Sequence, residues 1–126
     1  MSRRGGVTVD TGFLIALERS KPRALKLLNR CRVDALRITV PVAVVAEWWR
    51  GGSHASVLRA FEVEPMTERL AKSAGEAIAA VPGATVVDAI VMASAAQRDD
   101  VVYTSDFDDL SQLRDRCFRS VRVLGV

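Results

Sequence analysis

The 126-residue chain has one histidine, two cysteines and no long apolar run. A lone histidine, His54, cannot form a zinc site or a Ser–His or Cys–His pair without partners nearby. Cys31 and Cys117 follow no metal-binding spacing, so we expect reduced, partly buried thiols. No stretch approaches the roughly 20 apolar residues that span a bilayer, and the first ten residues lack a signal-peptide core. The sequence therefore predicts a cytoplasmic protein and excludes most schemes of nucleophilic catalysis.

What remains is the composition of an ordinary globular domain. Hydrophobic residues make up 49% of the chain and charged residues 26%. No linker, repeat or low-complexity tract interrupts it, so we expect a single domain over residues 1–126. The net charge of +3 is only mildly basic. The basic side of a helix predicted over residues 22–32 is thus either a solvated face or a contact for nucleic acid.

Strand-like and helix-like segments alternate along the chain. Runs of β-branched or apolar residues predict five strands, at residues 7–9, 36–40, 61–64, 101–104 and 121–124. Apolar periodicity and capping residues predict helices at residues 11–18, 22–32, 41–50, 68–80, 85–97 and 108–116, with a short additional helix before the third strand. This alternation indicates an α/β fold with a mainly parallel sheet, whose strand carboxyl ends gather at one edge.

Two aspartates follow predicted strands. Asp10 comes directly after the first strand, and Asp106 follows the fourth strand with Ser105 between. If those strands are neighbours, both carboxylates lie at the edge where open α/β sheets bind ligands. Each aspartate also precedes a helix and could simply be its N-cap.

Two further acids lie in predicted helices that are otherwise apolar. Glu47 is the only acid of residues 41–50, so we expect it to be at least partly buried, with Arg50 as a possible partner. Asp88 is the only charge of residues 85–97. Its alternative role is the third position of a capping box that begins at Thr85.

Taken together, the four acids predict a cation site. Several carboxylates in one cleft raise one another's pKa, and a divalent cation removes that conflict. Ligands that are all oxygen, with no histidine or thiolate among them, favour Mg²⁺ or Mn²⁺ over zinc. A magnesium ion held by few carboxylates keeps bound waters, which is typical of sites that activate water against a phosphodiester.

The chain resembles PIN-domain ribonucleases, and more narrowly VapC-type toxins of bacterial toxin–antitoxin pairs. Four separated stretches carry the resemblance, in family order and at family-like spacing: VTVDTGFLIAL, VVAEWWRGG, ATVVDAIVMASAA and VVYTSDFDDL. The resemblance implies a three-layer α/β/α fold whose five-stranded, mainly parallel sheet has the order 3-2-1-4-5. It also implies a Mg²⁺- or Mn²⁺-dependent endoribonuclease that hydrolyses RNA, acts as a homodimer and is held by a cognate antitoxin.

By that resemblance the catalytic acids are Asp10, Glu47, Asp88 and Asp106. Asp10 and Asp88 are expected to bind the metal directly, with Glu47 and Asp106 as further ligands. The stretch between Gly51 and Pro82 is short, so the middle helices and the substrate edge can differ from the family. Because Asp108 and Asp109 follow Asp106 closely, the partner of this fourth acid stays open.

Several neighbouring residues have two interpretations. The hydroxyls of Thr11, Thr104 and Ser105 could bond a carboxylate or a metal-bound water, or serve only as turn and cap residues. Trp48 and Trp49 cannot face the same way on a helix, so one should pack in the core or at a dimer interface. Stacking of the other on an RNA base is the less favoured alternative.

Three rival functions fit the sequence less well. Asp10-Thr11-Gly12 matches the Asp-Thr-Gly of dimeric aspartic proteases, but that fold is nearly all β. A phosphoacceptor signalling domain has a similar α/β architecture, yet it requires paired acids after the first strand and a lysine near the fifth. Here Asp10 stands alone and no lysine follows Lys72. A non-catalytic binding module would have no need of all four acids.

Overall fold

The computed structural model describes residues 5–126. Five strands, β1 to β5, are Val7–Val9, Ile38–Pro41, Glu62–Glu64, Val101–Thr104 and Arg122–Gly125. Seven helices, α1 to α7, are Thr11–Glu18, Pro22–Val33, Val42–Trp48, Ala55–Leu58, Glu68–Ala80, Val86–Arg98 and Phe107–Cys117, and a 3₁₀ turn at Gly52–His54 precedes α4. Within the described residues, no helix is long and apolar enough to cross a membrane.

All strand pairs are parallel, and the sheet order is β3-β2-β1-β4-β5. Because crossovers between parallel strands are right-handed, the chain places α1 to α4 on one face and α5 to α7 on the other. The contacts agree, since α1 packs on α2, α3 and α4, whereas α6 packs on α5 and α7. The three-layer α/β/α fold and the strand order predicted by resemblance are therefore confirmed.

The core lies between the sheet and these two helical layers. β1 is buried along its whole length, as expected for the central strand of a parallel sheet. Helix α6 is buried from Ala89 to Ala95, which explains why its sequence is apolar on nearly every side. Cys31 is buried and Cys117 partly buried, and both are free thiols.

Some element boundaries differ from those predicted. Pro41 ends β2 instead of starting a helix. At the end of a strand, the missing N–H of proline does not remove a hydrogen bond from the middle of the sheet. The following helix also ends early, at Trp48, because Trp49 has an extended backbone. Gly51 then takes a φ of 129°, a region that favours glycine. Helix α3 is therefore shorter than the predicted 41–50, and only one of its faces is buried.

A buried polar network lies between α6 and the sheet. The Arg98 guanidinium forms ion pairs with Glu64 and with Asp100, the latter at 3.0 Å from Nε to Oδ2. Its Nη2 atom donates to the hydroxyls of Thr8 and Ser94, each at 2.8 Å. Asp100 also accepts from Thr8, at 2.8 Å. One arginine thereby joins the C-terminal end of α6 to β1 and β3.

Candidate active site

Asp10 is a buried carboxylate at the carboxyl end of the central strand. It caps α1, with Oδ1 accepting the Phe13 N–H at 2.9 Å. Its Oδ2 atom accepts the hydroxyl of Thr104, which ends the neighbouring strand β4. Asp10 is only 4% exposed. It therefore does act as the N-cap, and it also faces the neighbouring strand end.

Thr104 links two of the predicted site acids. While its hydroxyl donates to Asp10, its Oγ1 atom accepts the backbone N–H of Asp106 at 2.7 Å. Thr104 is fully buried, so water does not compete for these bonds. The carboxylate of Asp10 and the start of α7 are thus held together by one hydroxyl.

Three carboxylates come together beside this bridge. Oxygen atoms of Asp88, Asp106 and Asp109 lie within 4.8 Å of one another. Asp88 is near the start of α6, where its N–H donates to the Thr85 hydroxyl at 3.1 Å. That bond is half of the capping box considered for Thr85 and Asp88. Asp106 and Asp109 lie at and just inside the start of α7.

Burial and the nearby like charges both raise the pKa of these acids. Burial raises the pKa of Asp10 to about 6, opposed by its bonds from Thr104 and Phe13 and reinforced by the charges of Asp88 and Asp106. Partial burial, with the charges of Asp106, Asp109 and Glu47, also raises the pKa of Asp88. Desolvation and the neighbouring Asp109 raise the pKa of Asp106. The acids therefore repel one another, and a cation would relieve that repulsion.

Glu47 occupies a different position from the one predicted. It is exposed, and its carboxylate accepts the hydroxyl of Thr11 on α1. Arg50 does not pair with it; the Arg50 Nη1 atom donates to the Trp49 carbonyl at 2.8 Å. The prediction of partial burial is wrong because α3 buries one face only. Glu47 still contributes to the electrostatics of the acidic cluster, since its charge raises the pKa of Asp88.

The donor set suits a hard divalent cation. The groups that surround the cluster are carboxylate and hydroxyl oxygens, whereas the sole histidine contacts Glu18 instead. Oxygen ligands of this kind are typical of magnesium and manganese sites. Asp10, Asp88, Asp106 and Asp109 could hold such an ion at the carboxyl edge of the sheet.

The sequence left the roles of Asp108 and Asp109 open, and the structure brings Asp109 into the cluster. The signal was present, because Asp106 and Asp109 are three residues apart at a helix start and so share a helix face. The two tryptophans separate as expected, with Trp48 at 3% exposure and Trp49 at 37%. Thr11 and Thr104 both bond site carboxylates, so they are more than turn residues.

Gly12 leaves no room for a side chain beside the site. A Cβ there would lie 1.9 Å from Ser105 Oγ and 3.1 Å from Ser105 Cβ. We expect Gly12→Ala to lower the free energy of unfolding by about 1–2 kcal/mol, measured by urea denaturation. Gly75→Ala is the matched control, since nothing lies within 4 Å of its Cβ position in α5, and it should stabilise by up to about 1 kcal/mol. Equal effects of the two substitutions would contradict the predicted clash.

Comparison with known proteins identifies the family. The PIN-domain model matches residues 7–115. The fold is similar to a chain of FitAB bound to an IR36 DNA fragment, with a TM-score of 0.67, 18% identity and coverage of 94% of each chain. It is also similar to a chain of VapBC2 from Rickettsia felis bound to a promoter DNA fragment, with a TM-score of 0.71, 11% identity and coverage of 95% of this chain and 98% of that one. A search among curated proteins finds no significant match. Since the family model spans most of its length, the chain belongs to the PIN-domain family.

Proposed function

We propose that the chain is a metal-dependent endoribonuclease and the toxin of a bacterial type II toxin–antitoxin pair. The observation that carries the proposal is the acidic cluster of Asp88, Asp106 and Asp109 beside Asp10, at the sheet edge of a PIN domain. PIN domains are generally hydrolytic nucleases. The choice of RNA as substrate rests on the resemblance of the four sequence stretches to VapC-type toxins.

In this proposal the acids fall into three groups with different roles. Asp10 and Asp88 hold Mg²⁺ or Mn²⁺ directly, and Asp106 with Asp109 supports that ion or a second one. When bound, the cation lowers the pKa of a coordinated water and offsets charge on the phosphate. Glu47, held by the Thr11 hydroxyl, orients the attacking water. Thr104 keeps the Asp10 carboxylate in place by donating to Oδ2.

Antitoxin binding is proposed from two independent likenesses. Both structural neighbours belong to assemblies named FitAB and VapBC2, each bound to DNA. An antitoxin segment with a basic side chain could replace the cation among the acids, since the cluster is rich in unneutralised carboxylates. We further propose that the protein is cytoplasmic, is a homodimer and acts as one domain.

The test exposes total RNA to the purified chain in Mg²⁺, in Mn²⁺ or in EDTA. We expect cleavage with either ion and none in EDTA. The resemblance implies 5′-phosphate and 3′-hydroxyl ends, which form when water attacks phosphorus and the 3′-oxygen leaves. Ends carrying 2′,3′-cyclic phosphate would contradict attack by water, and undiminished cleavage in EDTA would contradict the metal requirement. In cells, expression should arrest growth, and co-expression of the antitoxin should relieve the arrest.

A further inference from the structure

A groove of about 400 Å³ opens directly beside the catalytic edge. It lies between α1 and the segment that runs from α3 into the 3₁₀ turn, and Thr11 and Glu47 line it where it meets the acids. Glu18, Arg19 and His54 line it further along. A chain that crosses the acidic cluster could therefore continue into this groove.

The carboxylate of Glu18 is held in a fixed orientation inside the groove. Its Oε1 atom accepts the Trp48 indole N–H at 3.2 Å, and its Oε2 atom lies 3.0 Å from His54 Nε2. The two rings are stacked on each other with centroids 4.3 Å apart, which fixes both donors. The Glu18 side chain is nevertheless 40% exposed. Because each carboxylate oxygen has two lone pairs, both oxygens can accept a further bond.

Two arginines supply positive charge along the same groove. Arg19 follows Glu18 and is exposed, and its side chain has no hydrogen-bond or ion-pair partner among residues 5–126. Arg50 uses one nitrogen for the Trp49 carbonyl and keeps its other N–H groups. Guanidinium groups bind phosphate in a bidentate manner. The groove therefore offers arginines that can bind the phosphates of an RNA backbone and, in Glu18, an acceptor for the hydrogen-bond donors of a base.

We propose that this groove binds a guanine nucleotide of the RNA that flanks the cleaved phosphodiester, with Glu18 as the base-reading residue. The Watson–Crick edge of guanine presents two adjacent parallel donors, N1–H and the N2 amino group, which match the two oxygens of one carboxylate. Adenine and cytosine present a single donor beside an acceptor, and uracil presents one donor between two acceptors. Single-stranded bases are read on this edge by proteins. The inference rests on the proposed ribonuclease function and adds its base preference.

The experiment measures binding of short single-stranded RNAs by fluorescence anisotropy, with Asp10→Asn as background so that the RNA is cut too slowly to affect the measurement. The RNAs are uridine-rich and differ at one position, which carries guanosine, inosine or adenosine. We expect guanosine to bind about tenfold tighter than adenosine, with inosine weaker than guanosine because it lacks the N2 amino group. Adding Glu18→Gln should abolish the guanosine preference. The readout is the ratio of guanosine to adenosine affinity, because loss of a negative charge beside the RNA backbone changes the affinity of all three RNAs alike.

Arg19→Ala tests the phosphate contact separately. The substitution should lower the binding affinity for all three RNAs equally, and it should reduce the slope of log affinity against log salt by about one. Arg69→Ala is the matched control: Arg69 is exposed near the start of α5, at the end remote from the α5–α6 connection and Asp88. It should leave both affinity and slope unchanged.

Several outcomes would overturn the proposal. One such outcome is equal binding of guanosine and inosine RNAs to protein with an intact Glu18. That comparison changes only the RNA, so it tests the proposal even if Glu18→Gln fails to fold. Unchanged preference in a folded Glu18→Gln protein would also overturn it. If that variant weakened antitoxin binding alone, the groove would belong to the protein partner. RNA cleavage without base preference would leave the ribonuclease function standing, whereas absence of cleavage in the parent chain would refute that function itself.

Discussion

An Asp10→Asn variant is expected to lose RNA cleavage by roughly a hundredfold or more, since even residues that only orient metal ligands contribute 10–100-fold. The substitution keeps the size of the side chain and removes its charge. Asparagine can still accept the Phe13 N–H through its carbonyl, and the Thr104 hydroxyl can rotate to accept from the new amide. Cleavage rates with saturating Mg²⁺ measure the effect. Equal rates in both proteins would contradict a direct role of Asp10 in the reaction.

The same variant should be more stable than the parent chain when no metal is present. Burial raises the pKa of Asp10 from 3.8 to about 6, so the folded state binds a proton that the unfolded state has lost. The parent's stability therefore falls as pH rises from about 4 to about 6, and the loss persists above that range. At pH 7 in EDTA we expect the variant to gain about 1–3 kcal/mol. Urea denaturation from pH 4 to pH 8 measures this difference.

This stability comparison also controls for misfolding. A variant that is inactive yet more stable at pH 7 has kept the fold, so its loss of activity results from the change at the site and not from unfolding. Added Mg²⁺ should stabilise the parent and affect the variant less, because a ligand stabilises only the state that binds it. A variant less stable than its parent across the whole pH range would show that Asp10 serves mainly as the cap of α1.

Arg98→Met is expected to destabilise the fold by about 3–5 kcal/mol, the range for breaking a buried ion pair by removing one partner. The change removes the guanidinium that pairs with Glu64 and Asp100. Asp100 is 5% exposed, so its charge would remain in a poorly solvated place. Methionine fills much of the same space, which limits the contribution of a cavity.

Chemical denaturation compares this variant with Arg69→Met. Arg69 is exposed and its side chain has no hydrogen-bond or ion-pair partner among the described residues, so its replacement should change stability by less than about 0.5 kcal/mol. A loss of under 1 kcal/mol for Arg98→Met would indicate that water reaches Asp100 and Glu64 in its place. Such a result would show that the ion pairs of this network are hydrated and contribute little to stability.

The position of the acids at one sheet edge was predictable in part because it follows from chain direction. Parallel strands bring their carboxyl ends together, so the strand pattern placed Asp10 and Asp106 at one edge, whereas their adjacency depended on the strand order that the family resemblance implies. The lone charge of Asp88 in an apolar helix was an equally local signal. Glu47 was misjudged because an apolar sequence does not tell which face of a helix is covered. In α3 the covered face contains Val44 and Trp48.

Other features depend on contacts between distant segments. Arg98 contacts Glu64, which is 34 residues away in the sequence, and Thr8, which is 90 residues away. No periodic pattern in the sequence predicts contacts of this kind. The bond between Glu18 and His54 spans 36 residues and depends on where α3 stops. That stop was predicted two residues too late. Side-chain partners of this kind require the packed structure.

The bond between Thr104 and Asp10 spans 94 residues, and this separation has a consequence for synthesis. Strand β4 inserts beside the first strand only after most of the chain has left the ribosome. Until then Asp10 lacks the β4 strand end and the Thr104 hydroxyl that donates to it, and the α7 acids do not yet exist. The residues that line the groove lie between positions 11 and 54, but α3 also packs on α6 from the second half of the chain. A growing copy therefore cannot assemble the acidic cluster until β4 and α7 have been synthesised.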